Sequence, residues 1–198
     1  MKSSQSGSAA KGKKTPAKAS KSNGSPSSNG DSQFEKLFED GLKDMYWVEK
    51  TLTKAIPKMI SNATSDELIA ALEEHLTVTE EQVKKVERVF EVLGKKPEAK
   101  PCAAMKGILE EGEETMKEFQ GMTGDAGIIY AAQKVEHYEI ASYGTLCAFA
   151  NTLGMTDAAE ILQEILDEEK DADSTLTQIA ESSVNMEAIA EGNDEEEE

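Results

Sequence analysis

Gln133-Lys-Val-Glu-His-Tyr-Glu-Ile-Ala-Ser-Tyr-Gly-Thr-Leu146 sits inside an apolar stripe of helical period, Ala132, Val135, Tyr143, Leu146 and Ala150, that two carboxylates interrupt. Glu136 and Glu139 are three residues apart, so they share the face that carries Ala132, Tyr143 and Leu146. An acid on the buried face of a helix needs a partner.

The same period extends outward on both sides. Phe34, Leu37, Phe38, Leu42, Met45, Leu52, Ile56 and Met59 predict a first helix over about 33–62, with Pro57 expected to kink or weaken its last turn. Thr64-Ser-Asp-Glu67 has the form of a capping box and opens a second helix, which runs through Leu68, Leu72, Leu76, Val83, Val86, Phe90 and Leu93 to a C′ glycine, Gly94. Lys95–Pro101 reads as a linker. A shorter helix then places Met105, Ile108, Leu109, Met116 and Phe119 on one side. Gly121-Met-Thr-Gly-Asp-Ala-Gly127 is expected to be a loop, followed by a fourth helix over about 126–152 that ends at Gly154. The fifth, over about 156–182, opens with Thr156 or Asp157 as cap and carries Leu162, Ile165, Leu166, Leu176 and Ile179. The expected fold is all-α, an antiparallel four-helix bundle with one additional short helix. No strand pattern and no Gly-rich phosphate loop competes, which excludes a nucleotide-binding α/β fold.

The bundle is bounded by polar ends. Residues 1–32 hold no large apolar residue beyond the initiator Met and are expected to be a disordered Lys- and Ser-rich tail; 33–182 form the bundle, and 183–198 an acidic C-terminal tail. The 198 residues carry 39 acids against 21 basic residues, a net charge of −18. Six of those Lys and one acid lie in residues 1–31, so the remainder carries 15 basic residues against 38 acids, a net −23. Such a surface repels nucleic acid and anionic membranes and attracts cations. Nucleic-acid association through Lys2, Lys11, Lys13, Lys14, Lys18 and Lys21 is therefore disfavoured against a solubilising role for the tail. Cys102 and Cys147 make neither a disulfide framework nor a zinc site. No apolar run approaches a membrane span and no secretory leader is present, so the chain reads as cytoplasmic.

Polar residues interrupt every long stripe at mid-length. Glu49 lies in the first; His75, Thr79 and Gln82 in the second; Glu136 and Glu139 in the fourth; Glu169 and Asp173 in the fifth. Antiparallel packing brings them to one level. A lone glutamate on a helix is ordinarily a solvated residue, and a lone histidine a core-edge residue. Four helices contributing together is a different matter, because several buried carboxylates cost several kcal/mol each unless neutralised, and no Lys or Arg lies in these stripes. Divalent cations with hard oxygen ligands and an imidazole, iron or manganese, would neutralise them. The candidate metal ligands are Glu49, His75, Glu136, Glu139, Glu169 and Asp173. His137 falls one step off the acidic face and is expected to be exposed, and Tyr143 to be core.

Four segments carry a resemblance: Leu37-Phe-Glu-Asp-Gly-Leu-Lys-Asp-Met-Tyr-Trp-Val-Glu-Lys50, Glu74-His-Leu76 with Thr79 and Gln82, Gln133–Leu146, and Leu166-Asp-Glu-Glu-Lys-Asp-Ala-Asp173. Over about 33–182 the chain resembles the YciE/YciF family of ferritin-like proteins, a bacterial stress-associated group. The resemblance implies a ferritin-like bundle, commonly a homodimer, and di-iron ferroxidase activity. It departs from the wider ferritin-like pattern in one respect: no Glu-x-x-His occurs, since Leu72 precedes His75 by three residues and Lys134 precedes His137. The expected function is oxidation of Fe²⁺ by O₂ or peroxide. The alternative is a dimeric stress-response protein whose polar core fixes helix register without metal.

Overall fold

The computed structural model describes residues 32–196. The segment 1–31, with its expected disorder and its Lys residues, lies outside the described residues. Within them the chain is helical: α1 (Gln33–Asn62), α2 (Asp66–Val92), α3 (Ala103–Glu118), α4 (Gly121–Leu153), α5 (Thr156–Ile179), a π-helical turn Ala180–Val184, and α6 (Asn185–Glu196). No strand occurs among the described residues.

Cross-helix pairs give the topology. Tyr143 of α4 reaches Glu49 of α1, and Phe149 packs edge-on against Phe34 at 4.8 Å, so higher numbers on one helix meet lower on the other. Gln82 meets Glu169, and Ser183 in the π-helical turn just beyond α5 meets Glu67, which orients α2 against α5 in the same antiparallel sense. Short turns join α1 to α2 and α4 to α5. Between the pairs the chain must return the length of the bundle, and the irregular stretch after Gly94 with α3 carries it back. Lys100 N–H donates to the Lys43 carbonyl at 3.1 Å on the way. The result is the ferritin-like bundle of four long antiparallel helices.

The apolar stripes form one core, with Phe38, Leu42, Val48, Val86, Phe90, Ile128, Leu162 and Ile165 buried. Each such side chain stabilises the fold by about 1.5–3 kcal/mol on burial. Gly94 and Gly154 have φ of 68° and 73° after α2 and α4, as C′ glycines do.

Several boundaries differ from the sequence reading. The expected glycine-rich loop at 121–127 is helix, the first turns of α4. Its glycines serve packing: a Cβ on Gly127 would come within 2.7 Å of Thr115 Cγ2, so α3 approaches α4 here. Asp125, in the same stretch, is buried and accepts from Thr64 N–H at 2.8 Å, Thr64 Oγ1 at 2.8 Å and Ser65 N–H at 2.7 Å. That engagement moves the α2 cap one residue on, to Ser65, whose hydroxyl accepts from Leu68 N–H. The capping box forms instead at Ser32 and Glu35, at the start of α1. α1 runs through Pro57 to Asn62, and α5 begins at Thr156 with no side-chain cap. Phe119 lies just beyond α3 and is partly exposed.

Residues 183–196, read as an acidic tail, continue as helix. Val184 is buried, and Glu191 accepts from Met122 N–H at 2.7 Å, capping α4 where Gln120 provides no side-chain cap. An acid at a helix N-terminus is favoured by both the free N–H groups and the helix dipole.

Candidate metal centre

Each long helix brings at least one of its mid-length polar residues to the same level. Glu49, Glu136, Glu139 and Glu169 are at most 2% exposed, alongside buried Thr79 and Gln82. The carboxylates fall into two groups whose ligand atoms lie within 4.8 Å of one another: Glu49, Glu139 and Glu169, and His75, Glu136 and Glu169. Glu169 belongs to both. Two adjacent positions could each draw three ligand atoms from these groups, with the Glu169 carboxylate common to both.

The protein supplies only part of what these acids require. Tyr143 donates its hydroxyl hydrogen to Glu49 Oε1, Gln82 Nε2 donates to Glu169 Oε1 at 2.6 Å, and His75 Nε2 stands 3.3 Å from Glu136 Oε1. The Thr79 hydroxyl turns back to its own helix, donating to the His75 carbonyl at 2.9 Å. Glu49 Oε2, Glu136 Oε2, Glu139 Oε1 and Glu169 Oε2 are buried with no donor. Four orphaned carboxylate oxygens in one core are far outside what folded proteins tolerate without a cation or a proton. A donor set of four carboxylates and one imidazole fits iron or manganese.

Electrostatics register the same shortage. Burial pushes Glu49 up to about 8, against which the Tyr143 hydrogen bond acts. Burial and the neighbouring carboxylates hold Glu139 and Glu169 well above the usual range. For His75, burial opposes protonation, but Glu136 and Glu49 beside it outweigh burial and raise its pKa.

Asp173 is not brought to this centre. One turn beyond Glu169 its carboxylate faces away, accepting from Gln133 Nε2 at 3.2 Å and standing 3.3 Å from His137, which is exposed. Gln82 and Tyr143, outside the expected ligand set, are in direct contact with it. For Gln82 the signal was its place beside His75 and Thr79 in the α2 stripe. Tyr143 had the look of plain core, and nothing local announced its hydroxyl's partner.

A cavity of about 270 Å³ opens beside the His75–Glu136 edge, between α2 and α5, with Leu52, Ile56 and Met59 of α1 on its inner wall. Among the described residues no helix is long and apolar enough to cross a membrane.

A family profile, DUF892, a domain of unknown function, matches residues 33–189. Protein YciF of Escherichia coli (strain K12) is 41% identical over 157 residues, 78% of this chain and 95% of that protein. The crystal structure of the E. coli stress protein YciF is similar with a TM-score of 0.74 at 41% identity, covering 77% of this chain and 98% of that one. YcfI of Rhodopseudomonas palustris, for which a structural role has been suggested, has a TM-score of 0.74 at 43% identity, covering 75% and 96%. A Xanthomonas campestris protein at 24% identity and TM-score 0.66, covering 81% and 99%, shares the fold.

Proposed function

The chain belongs to the DUF892 family, and we propose that its bundle core holds two divalent metal ions, iron or manganese, and oxidises Fe²⁺ with O₂ or peroxide. The observation that carries this is the set of four buried glutamates, each with an oxygen that no protein group satisfies, arranged as two ligand groups around Glu169.

Metal ions bound here would neutralise the acids and supply one-electron redox chemistry. The residues prepare that role. Glu49 and Glu139 serve one position, His75 and Glu136 the other, and Glu169 both. Gln82 and Tyr143 fix the orientation of Glu169 and Glu49 by donating to one oxygen of each, which leaves the second oxygen free. With Fe²⁺ as substrate, two ions give up one electron each. Peroxide accepts both electrons with two protons and becomes two waters, and protons leaving raised-pKa carboxylates on cation binding are available for it. The net −23 of residues 32–198 draws cations toward the core. The family resemblance further suggests a homodimer and a role in stress.

One observation favours a second reading. With Glu49 raised to about 8 and Glu139 and Glu169 higher than usual, a protonated, metal-free core is chemically self-consistent near neutral pH, and the protein would then act structurally. Fe²⁺ oxidation by wild type and Glu136→Ala, purified without chelator, separates the two. The metal reading expects oxidation by wild type and its loss in the variant; equal rates in both would reject it.

A further inference from the structure

The cavity beside His75 and Glu136 is larger and more apolar than cation entry requires. Its volume is about 270 Å³; an engineered apolar cavity of about 150 Å³ already takes benzene. Leu52, Ile56, Met59, Leu72, Val135 and Leu176 line it, and the small side chains of half-buried Ala71 and Ala172 leave it room toward solvent. A divalent ion moving along such walls would surrender hydration without replacement. At the inner end the cavity meets His75 and Glu136, whose Oε2 is buried without a donor. Exposed Glu74 and Asp171 stand at the rim, half-buried Glu168 also lines the cavity with its carboxylate engaged by Lys85 and Gln82, and no Lys or Arg is among the lining residues.

Apolar walls, one polar inner end and an acidic rim describe a site for an organic molecule. We propose that this cavity binds a neutral, mainly apolar organic molecule of about ten to twelve non-hydrogen atoms, which donates one hydrogen bond to Glu136 and lays its apolar body along Leu52, Ile56 and Met59. Anionic molecules of the same shape are rejected, because their charge would face Glu74, Asp171 and Glu136. The inference meets the metal reading at one residue, Glu136, which lines the cavity and belongs to the ligand groups. Its binding, however, is a property of the cavity alone.

The test uses metal-free full-length protein titrated with 1-nonanol and, separately, with nonanoate, followed by calorimetry and by Tm. Saturable binding of nonanol with a rising Tm is expected, together with binding of nonanoate weaker by at least about tenfold. Ala172→Phe, which fills the outer part of the cavity, is expected to weaken nonanol by about tenfold or more with the fold intact. Ala71→Leu provides the same test should Ala172→Phe fold poorly. Unsaturable nonanol binding to wild type, equal affinity for nonanoate, or unchanged affinity in the folded variants would overturn the proposal. Metal content is measured in parallel without nonanol. Metal binding with no nonanol binding removes the organic ligand alone, and nonanol binding with no metal removes the centre alone.

Discussion

Gln82 Nε2 donates to Glu169 Oε1 across 2.6 Å, so α2 meets the shared carboxylate with an amide rather than with a carboxylate of its own. The centre thus holds four carboxylates and not five, and the one that both ligand groups share is oriented by a neutral donor. Gln82→Glu replaces that donor with a fifth buried acid. The metal-free variant is expected to lose about 2–4 kcal/mol of stability, read from denaturant midpoints, and added Mn²⁺ should recover part of it. A variant as stable as wild type without metal would show that Glu169 does not depend on this amide.

Tyr143→Phe leaves Glu49 Oε1 buried without its donor. The expected cost is about 1–3 kcal/mol, with the helical circular dichroism spectrum unchanged and metal stoichiometry retained. Loss of metal instead would make Tyr143 a requirement of the centre itself.

The metal-free protein is expected to weaken as pH rises. Glu49 goes from an unfolded value of 4.5 to about 8 in the fold, and Glu139 and Glu169 also rise. Between those values the folded chain holds protons that the unfolded chain has released, so stability is greatest below about 4.5 and declines as pH climbs toward 8. Metal binding competes with these protons and tightens with pH, so the decline should shrink or reverse with Mn²⁺ present. Thermal melts across this range check both halves; a metal-free stability that rises from pH 5 to 8 would contradict the burial argument.

Asp125→Ala removes an acceptor that satisfies Thr64 and Ser65 from the start of α4. A loss of about 3 kcal/mol is expected, without effect on metal affinity, because the residue stands beyond the C-terminal end of α1, about 20 Å along the helix from Glu49. Coupled loss of metal would show that bundle ends and centre are not separable.

The sequence carried most of this architecture because the stripes of α1, α2, α4 and α5 are long and strictly helical in period. The resemblance to the YciE/YciF family rests instead on residues such as Glu136 and Glu139 that break the stripe. Local signals failed where tertiary contacts overrode them. Glycines at 121–127 resemble a loop, yet Gly127 lets α3 approach and Asp125 ties the segment to α2. Thr64 looked like a cap until Asp125 claimed it. Beyond 182, acidic composition suggested a tail, but buried Val184 and the cap from Glu191 to Met122 fasten the chain as helix. Asp173 follows Glu169 by one turn, and only the rotation of α5 reveals that it faces His137 and Gln133. Spacing cannot supply that angle.

Metal stoichiometry tests the central claim most directly. Wild type, Glu139→Gln and Glu169→Gln would be purified without chelator, loaded anaerobically with Fe²⁺, and the bound ions counted per chain. Two ions are expected for wild type, one for Glu139→Gln and none for Glu169→Gln, since Glu169 serves both positions. A folded, helical wild-type protein that binds no Fe²⁺ and no Mn²⁺ would contradict the account and leave a proton-stabilised polar core in its place.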